Sequence, residues 1–407
     1  MSVVSNSRTL DFAQRMSRLG TETAFAVSAE AAAFAGEGNK VYPFHIGDLN
    51  LPTPENIVAA THDAMRAGKT GYGSNYGLAE LRAALAANIN ASHGTSYTAE
   101  NVLVQPGGKP VIGKFFLALL NSGDEALYPN PGYPIYESQI EFNGGKALPY
   151  GYREGAGNFE IDLAQLERAI TPRTRFLVFN NLQNPTGAES SRTELEQVAE
   201  IARKHDLMVL CDEAYQGIVY GAAPTSLVSL PGMADRTVIL YTFSKTYAMT
   251  GWRLGAAIGP KPLIDAMAKL AVNDESCTNT FIQYGGIEAL TGDQSGSRNN
   301  LAILEERRDI AVDLLNSIPG FRCFKPGSTF YLFPNVTGAM AALGTEDYEA
   351  FRRLVLKETG VSFTTRGHFG RPGQSEPQRY VRLAYSGIDK DQIHEGLMRL
   401  KQFMTRA

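Results

Sequence analysis

Lys245 stands just past an apolar run, Thr237 to Tyr241, in the segment Tyr241-Thr-Phe-Ser-Lys-Thr-Tyr-Ala-Met-Thr-Gly-Trp-Arg-Leu-Gly255. An ammonium at the end of a buried strand is expensive to desolvate. The cost is removed if the amine is bonded to a carbonyl cofactor as a Schiff base. Thr242 and Ser244 flank the lysine, and Arg253 follows beside the only tryptophan, Trp252. Hydroxyl donors and a fixed guanidinium are what a phosphate group needs. A bare Ser-Lys pair reads as a surface lysine after an ordinary strand; the whole segment reads as a cofactor site.

Two further apolar runs deliver polar residues in the same way. Arg175 to Phe179 ends in Asn180-Asn-Leu-Gln-Asn-Pro-Thr-Gly187, and Leu207 to Cys211 ends in Asp212-Glu-Ala-Tyr215. Short, nearly continuous apolar runs mark parallel strands buried on both faces. Ligands of open α/β sheets sit outside the carboxyl ends of such strands. Asn184, Asp212, Tyr215 and Lys245 therefore converge on one crevice. Gly107-Gly108-Lys109, followed by Pro110 and the apolar run Val111 to Leu120, reads as a glycine turn opening a helix, where proline costs nothing. Free N–H groups at a helix start bind phosphate, although a plain turn has the same local sequence.

The rest of the chain frames these elements. Its 407 residues suit two domains. A net charge of -4 leaves no basic footprint for nucleic acid. No run reaches the ~20 apolar residues of a membrane helix, and the first residues lack the apolar core of a secretory signal. Cys211, Cys277 and Cys323 are odd in number and far apart, which fits a reducing cytoplasm and no zinc site. The histidines show no metal-ligand spacing, so no metal is expected. Arg8 to about Gly36 reads as helix interrupted at Gly20. From Glu55 to about Leu290 helical and strand patterns alternate in the rhythm of an α/β sheet. The polar stretch Thr291 to Asn300 marks a boundary before a long helix. The C-terminal part mixes strands (Phe330 to Phe333; Tyr380 to Leu383) with amphipathic helices. Gly367 to Arg379 reads as a mobile surface loop.

The three motifs Asn184-Pro-Thr-Gly187, Asp212-Glu-Ala-Tyr215 and Ser244-Lys245, in this order, closely resemble those of class I/II aminotransferases of pyridoxal phosphate fold type I, the aspartate aminotransferase-like group. The resemblance spans nearly the full chain. It implies an α/β fold: a large domain with a mostly parallel seven-stranded sheet and a small α+β domain from both termini. The corresponding division is 1–51 as an N-terminal segment joining the small domain, 52–292 as the large domain and 293–407 as the small C-terminal domain. It also implies a cytoplasmic homodimer with active sites shared between subunits.

The same resemblance assigns roles to residues. Lys245 is the Schiff-base lysine and proton shuttle, Asp212 faces the pyridine nitrogen, and Tyr215 and Asn184 bond the cofactor's phenolate oxygen. Gly108, Lys109, Thr242 and Arg253 match the phosphate cup, and Tyr133, in Asn130-Pro-Gly-Tyr133, matches the aromatic platform under the ring. Tyr72 matches a tyrosine that reaches the phosphate of the other subunit. Asn130-Pro131 and Asn184-Pro185 match positions of cis bonds. Arg382 matches the arginine that grips the substrate's α-carboxylate, with Gly47 beside it. A buried arginine in an apolar strand needs an anionic partner, which a substrate carboxylate supplies bidentately; an internal salt bridge is the structural alternative.

The reaction implied is ping-pong transfer of an amino group between an L-amino acid and a 2-oxo acid. The alternatives are another enzyme of the same fold, a lyase, decarboxylase or oxidase, and a regulator that borrows it. A regulator would carry a DNA-binding module, for which the residues before Gly47 leave little room. Substrate choice rests on departures from the family pattern: Gly47-Asp-Leu-Asn50 replaces Gly-Glu-Pro-Asp, and Asn181-Leu182 precedes Gln183. Lys109 favours an acidic substrate side chain, so an acidic or broad specificity is expected. Asp274, Glu275 and Glu22, if they face the distal pocket, would favour a basic amino acid such as arginine.

Overall fold

Seven short segments of mainly apolar and β-branched residues pair into one sheet in the computed structural model, which describes residues 10–20, 23–373 and 376–406. They are β1 (Val102–Gln105), β2 (Glu125–Pro129), β3 (Lys146–Tyr150), β4 (Thr174–Phe179), β5 (Met208–Asp212), β6 (Thr237–Thr242) and β7 (Gly255–Ile258). Their spatial order is β1-β7-β6-β5-β4-β2-β3. Only β7 runs against its neighbours; the other pairs are parallel. The registers Phe179↔Cys211 and Asp212↔Leu240 bring the ends of β4, β5 and β6 level. The residues that follow these ends are thereby delivered to one edge.

The period-2 alternation sorts the strand side chains into two layers. Phe176, Val178, Leu210, Val238 and Leu240 pack on one face with Val111, Ile112 and Phe115 of the helix Lys109–Leu119 and with Ile264 and Met267 of the helix Lys261–Asp274. Leu177, Phe179, Val209 and Cys211 face the other way, onto Leu195, Val198 and Ala202 of the helix Arg192–Lys204. Ser191 and Glu194 form a reciprocal capping box at that helix's start. Asp212 shares the parity of Leu210, and Glu213 that of Cys211, so consecutive acids point into opposite layers.

The two ends of the chain share a second core. Tyr42–Pro43 pairs in parallel with Val361–Ser362. Tyr42 and Phe44 pack with Leu304, Val312, Phe351, Val355, Leu397 and Leu400. A small sheet of Tyr331–Leu332, Val381–Ala384 and Thr364–Thr365 completes this layer, flanked by the helices Ser295–Asn316, Tyr348–Thr359 and Lys390–Arg406.

Three boundaries differ from the sequence reading. Before Gly36 the described helical structure is a short 3-10 segment, Gln14–Arg18, and the helix Ala24–Gly36; Arg8 and residues 21–22 lie outside the described residues. The polar stretch Thr291 to Asn300 is only partly a linker: the long helix already begins at Ser295, whose N–H donates to Asp293 Oδ1 at 3.0 Å. The segment read as a mobile loop is pinned at its start. Gly132 N–H donates to the Phe369 carbonyl at 2.9 Å, and buried Arg366 donates to Asn130 Oδ1 at 2.7 Å. Those bonds tie it to the turn that carries Tyr133. Residues 374–375 of this loop lie outside the described residues.

Candidate active site

A cavity of about 400 Å³ opens where β4, β5 and β6 end, between the two cores. Lys245, Asp212, Tyr215, Asn184, Thr242, Arg253, Gly108, Lys109, Tyr133, Gly47 and Arg382 all line it. Lys245 Nζ donates to the Gly47 carbonyl at 3.0 Å and lies 5.4 Å from the Phe330 ring centre. A side chain at Gly47 would meet the Tyr331 hydroxyl at 2.8 Å, so glycine lets this segment pass close to the site.

Asp212 is buried at the end of β5. Its Oδ2 accepts from the Tyr136 hydroxyl at 2.5 Å and its Oδ1 from the Ala214 N–H at 3.1 Å. Burial pushes its carboxyl up to about 6; the two hydrogen bonds pull the other way and offset only part of that. The group is thus poised to gain a cationic partner. Asn180 donates to the Asp212 main-chain carbonyl at 3.0 Å and holds the strand end.

At one end of the cavity the groups suit a phosphate. Gly107 (φ +99) and Gly108 lead into the helix Lys109–Leu119, whose first N–H groups have no intrahelical acceptors. A methyl at Gly107 would run into the Arg253 guanidinium, and one at Gly108 would meet Leu240 at 2.8 Å. Thr242 Oγ1 donates to Ser244 Oγ at 2.9 Å, setting both hydroxyls on the same wall. Arg253 is held by Nη1 donating to the Thr250 carbonyl at 2.8 Å. Tyr133 stands edge-on to Tyr136, ring centres 5.7 Å apart, with Lys109 Nζ 5.9 Å from its ring centre.

The opposite end suits a carboxylate. Arg382 Nη1 donates to Asn184 Oδ1 at 3.3 Å and Nη2 to the His45 carbonyl at 3.0 Å. Its guanidinium lies 4.5 Å and 4.7 Å from the ring centres of Tyr331 and Phe369. Burial, reinforced by Arg382, lowers His45 to about 4, so that imidazole is neutral at pH 7. The Tyr215 and Tyr331 hydroxyls lie 2.9 Å apart. Both X-Pro bonds expected to be cis, Asn130-Pro131 and Asn184-Pro185, are cis.

Some sequence expectations fall elsewhere. Tyr72 is 93% exposed and does not line the cavity of its own chain. Asp274 and Glu275 do not line it either: both accept from buried Lys114, at 3.1 and 2.7 Å. Glu22 lies outside the described residues. Tyr136, Tyr331, His45, His368 and Phe369 line the cavity and were not read from sequence. Tyr136 carried a signal, since it follows Tyr133 by roughly one helical turn; the others had none, because nothing local marks them.

A cleft with an amine, a buried carboxyl, an anion cradle and a second guanidinium fits a phosphorylated aromatic aldehyde held beside an amino acid. The glycine cradle has no room for side chains where such a phosphate would sit. Comparisons agree. The family model "Aminotransferase class I and II" matches residues 39–400. The chain is 35% identical to the asparagine–oxo-acid transaminase of Streptococcus mutans, covering 97% of this chain and 99% of that one. It is 32% identical to the aspartate aminotransferase of Bacillus subtilis, covering 98% and 100%. The crystal structure of the aspartate aminotransferase from Rhizobium meliloti superposes with a TM-score of 0.90 at 29% identity, covering 98% and 100%.

Proposed function

The chain belongs to the class I and II aminotransferases, and from that premise we propose a role for each side chain of its cavity and a class of substrate. It is a pyridoxal phosphate-dependent transaminase, moving an amino group between an amino acid and a 2-oxo acid. Pyridoxal phosphate, when bound, supplies an electron sink for charge that develops at the substrate's α-carbon.

Lys245 would hold the cofactor through its aldehyde carbon, and its Nζ would hold and move the proton of the substrate's α-carbon. Asp212 would hold the cofactor's ring nitrogen, whose positive charge would offset the solvation the carboxylate lost on burial. Tyr136 and the Ala214 N–H hold that carboxylate in line. Tyr215 and Asn184 would bond the cofactor's phenolic oxygen, and Tyr133 would support its ring. Gly108, the N-terminus at Lys109, Thr242, Ser244 and Arg253 hold the phosphate. Arg382, flanked by Asn184 and the His45 carbonyl, takes the substrate's α-carboxylate. The single observation that carries this reading is the convergence of Lys245 and Asp212, from two strand ends of the large sheet, and Arg382, from a strand of the small one, on one cavity.

An acidic or broad amino-acid specificity fits best. Lys109 lines the cavity, while Asp274 and Glu275 are engaged by Lys114 instead of facing the cavity of their own chain. The relatives are named for aspartate and asparagine, which supports the same choice. We further place Tyr72 of each subunit against the phosphate of its partner, making the active form a homodimer; its exposure supports this. The two separate cores support a division into a large domain, 52–292, and a small domain made of 1–51 and 293–407. The thiols of Cys211, Cys277 and Cys323, none in a disulfide, suit a cytoplasmic setting.

The test has two parts. Borohydride reduction of the loaded protein followed by peptide mapping should place the label on Lys245; a label on another lysine would overturn the assignment. Aspartate, asparagine, alanine and arginine are then compared as amino donors. Stoichiometric new amino acid without free ammonia is expected, with aspartate leading. An arginine preference of about tenfold, worth about 1.4 kcal/mol, would overturn the acidic reading.

A further inference from the structure

Behind Asp212, on the far face of the sheet, lies a buried ion pair that the reaction described above does not use. His93 Nε2 is 2.7 Å from Glu213 Oε2, and the two side chains are 4% and 1% exposed. The other Glu213 oxygen accepts from the Ser226 hydroxyl and from the Cys211 thiol. The Glu213 N–H donates to the Leu240 carbonyl at 3.1 Å, which locks the backbone one residue beyond Asp212. His93 ends the helix Ala79–His93, where the unpaired carbonyls of the last turn favour a cation.

A carboxylate in a low-dielectric layer raises the proton affinity of a second carboxylate nearby. The charge of Glu213, the next residue in the chain, acts on Asp212 in this direction. The groups that face Glu213 besides His93 are Ser226 and Cys211, with the Tyr97 phenol nearby and Asp235 beyond it; none of them carries positive charge. We propose that His93 is a positioning residue for the reaction: as an imidazolium it neutralises Glu213 behind the strand, so that Asp212 can ionise and hold the cofactor's ring nitrogen. The inference rests on the assignment of Asp212 to that nitrogen. Burial alone would push His93 down, but the hydrogen bond and charge of Glu213 outweigh it and raise it.

Cofactor dissociation constants measured against pH test this without relying on turnover. In His93→Gln, which keeps a hydrogen-bond donor and removes the charge, the acid limb of cofactor binding should move up by about half a unit or more. The double variant His93→Gln/Glu213→Gln should return it to the wild-type position. A limb that stays in place in His93→Gln, with only thermal stability lowered, would overturn the proposal and leave a structural pair. On the unaltered protein, histidine side-chain nitrogen NMR, assigned by single substitution of the other five histidines, should show His93 doubly protonated at neutral pH; a neutral ring would equally overturn it. Asp212→Asn separates the two readings. If that change leaves cofactor affinity intact, the role of Asp212 falls and this inference with it. If it weakens cofactor binding while His93→Gln leaves the limb in place, only the His93 inference falls.

Discussion

The Tyr136 hydroxyl donates to the Asp212 carboxylate at 2.5 Å, and both groups are buried. Tyr136 lies in the helix Ile135–Phe142 and its N–H donates to the Tyr133 carbonyl at 3.1 Å, so one local turn sets both aromatic side chains at the cavity. Asp212 is thereby kept in place although burial works against its ionisation.

Tyr136→Phe should therefore raise the Asp212 pKa further, because it deletes a hydrogen bond that favours the carboxylate. The acid limb of cofactor binding should move up, while KM for the amino acid changes little. Titrating cofactor affinity from pH 5 to 8 checks this; a limb that moves down would mean that the tyrosine does not support the ionised form.

Removing the cofactor should expose the cost of burying Asp212. Its folded value of about 6 lies above the ordinary 3.8, so the folded cofactor-free protein binds the extra proton. Stability contributed by this group is fully present below 3.8 and is lost as pH rises through about 6. The loss is about 3 kcal/mol at full ionisation. Denaturant titrations of the cofactor-free protein between pH 4 and 7 should show a decline that is absent in Asp212→Asn.

Arg382→Ala and Asp212→Ala should separate binding from chemistry. Losing Arg382 removes the partner proposed for the substrate's desolvated carboxylate, a cost of roughly 2–5 kcal/mol, seen mainly in KM. Losing Asp212 should depress kcat, because the carboxylate proposed to keep the ring nitrogen protonated is gone. Steady-state kinetics with saturating cofactor checks the split, and equal effects on both constants would mean the roles are misassigned.

Gly107→Ala should damage the phosphate end selectively. The residue sits at φ +99, and an added methyl would collide with Arg253. Strain of this kind costs ~1–3 kcal/mol, and displacing Arg253 should weaken cofactor binding by about tenfold or more. Binding unchanged in Gly107→Ala would remove Arg253 from the phosphate site.

Much of the site was legible because it is written locally. A buried parallel strand shows as a short apolar run, and the polar residues after it fall at or just beyond the strand's carboxyl end, which is where Asn184, Asp212, Tyr215 and Lys245 stand. The glycine turn before Lys109 was legible for the same reason. What depended on distant chain segments was not. Tyr136 meets Asp212 across 76 residues and Arg382 meets Asn184 across 198. The loop after Arg366 reads as mobile by composition, yet a bond to Asn130 across 236 residues pins it. The acids Asp274 and Glu275 carry a charge that composition reports, but only packing decides that Lys114 engages them. The sequence by itself determined which groups stand at the strand ends, because the length of an apolar run and side-chain parity are properties of neighbouring residues. Tertiary structure decided which groups face one another, His93 and Glu213 among them, because that follows from how layers stack, and stacking brings together residues that no local pattern relates.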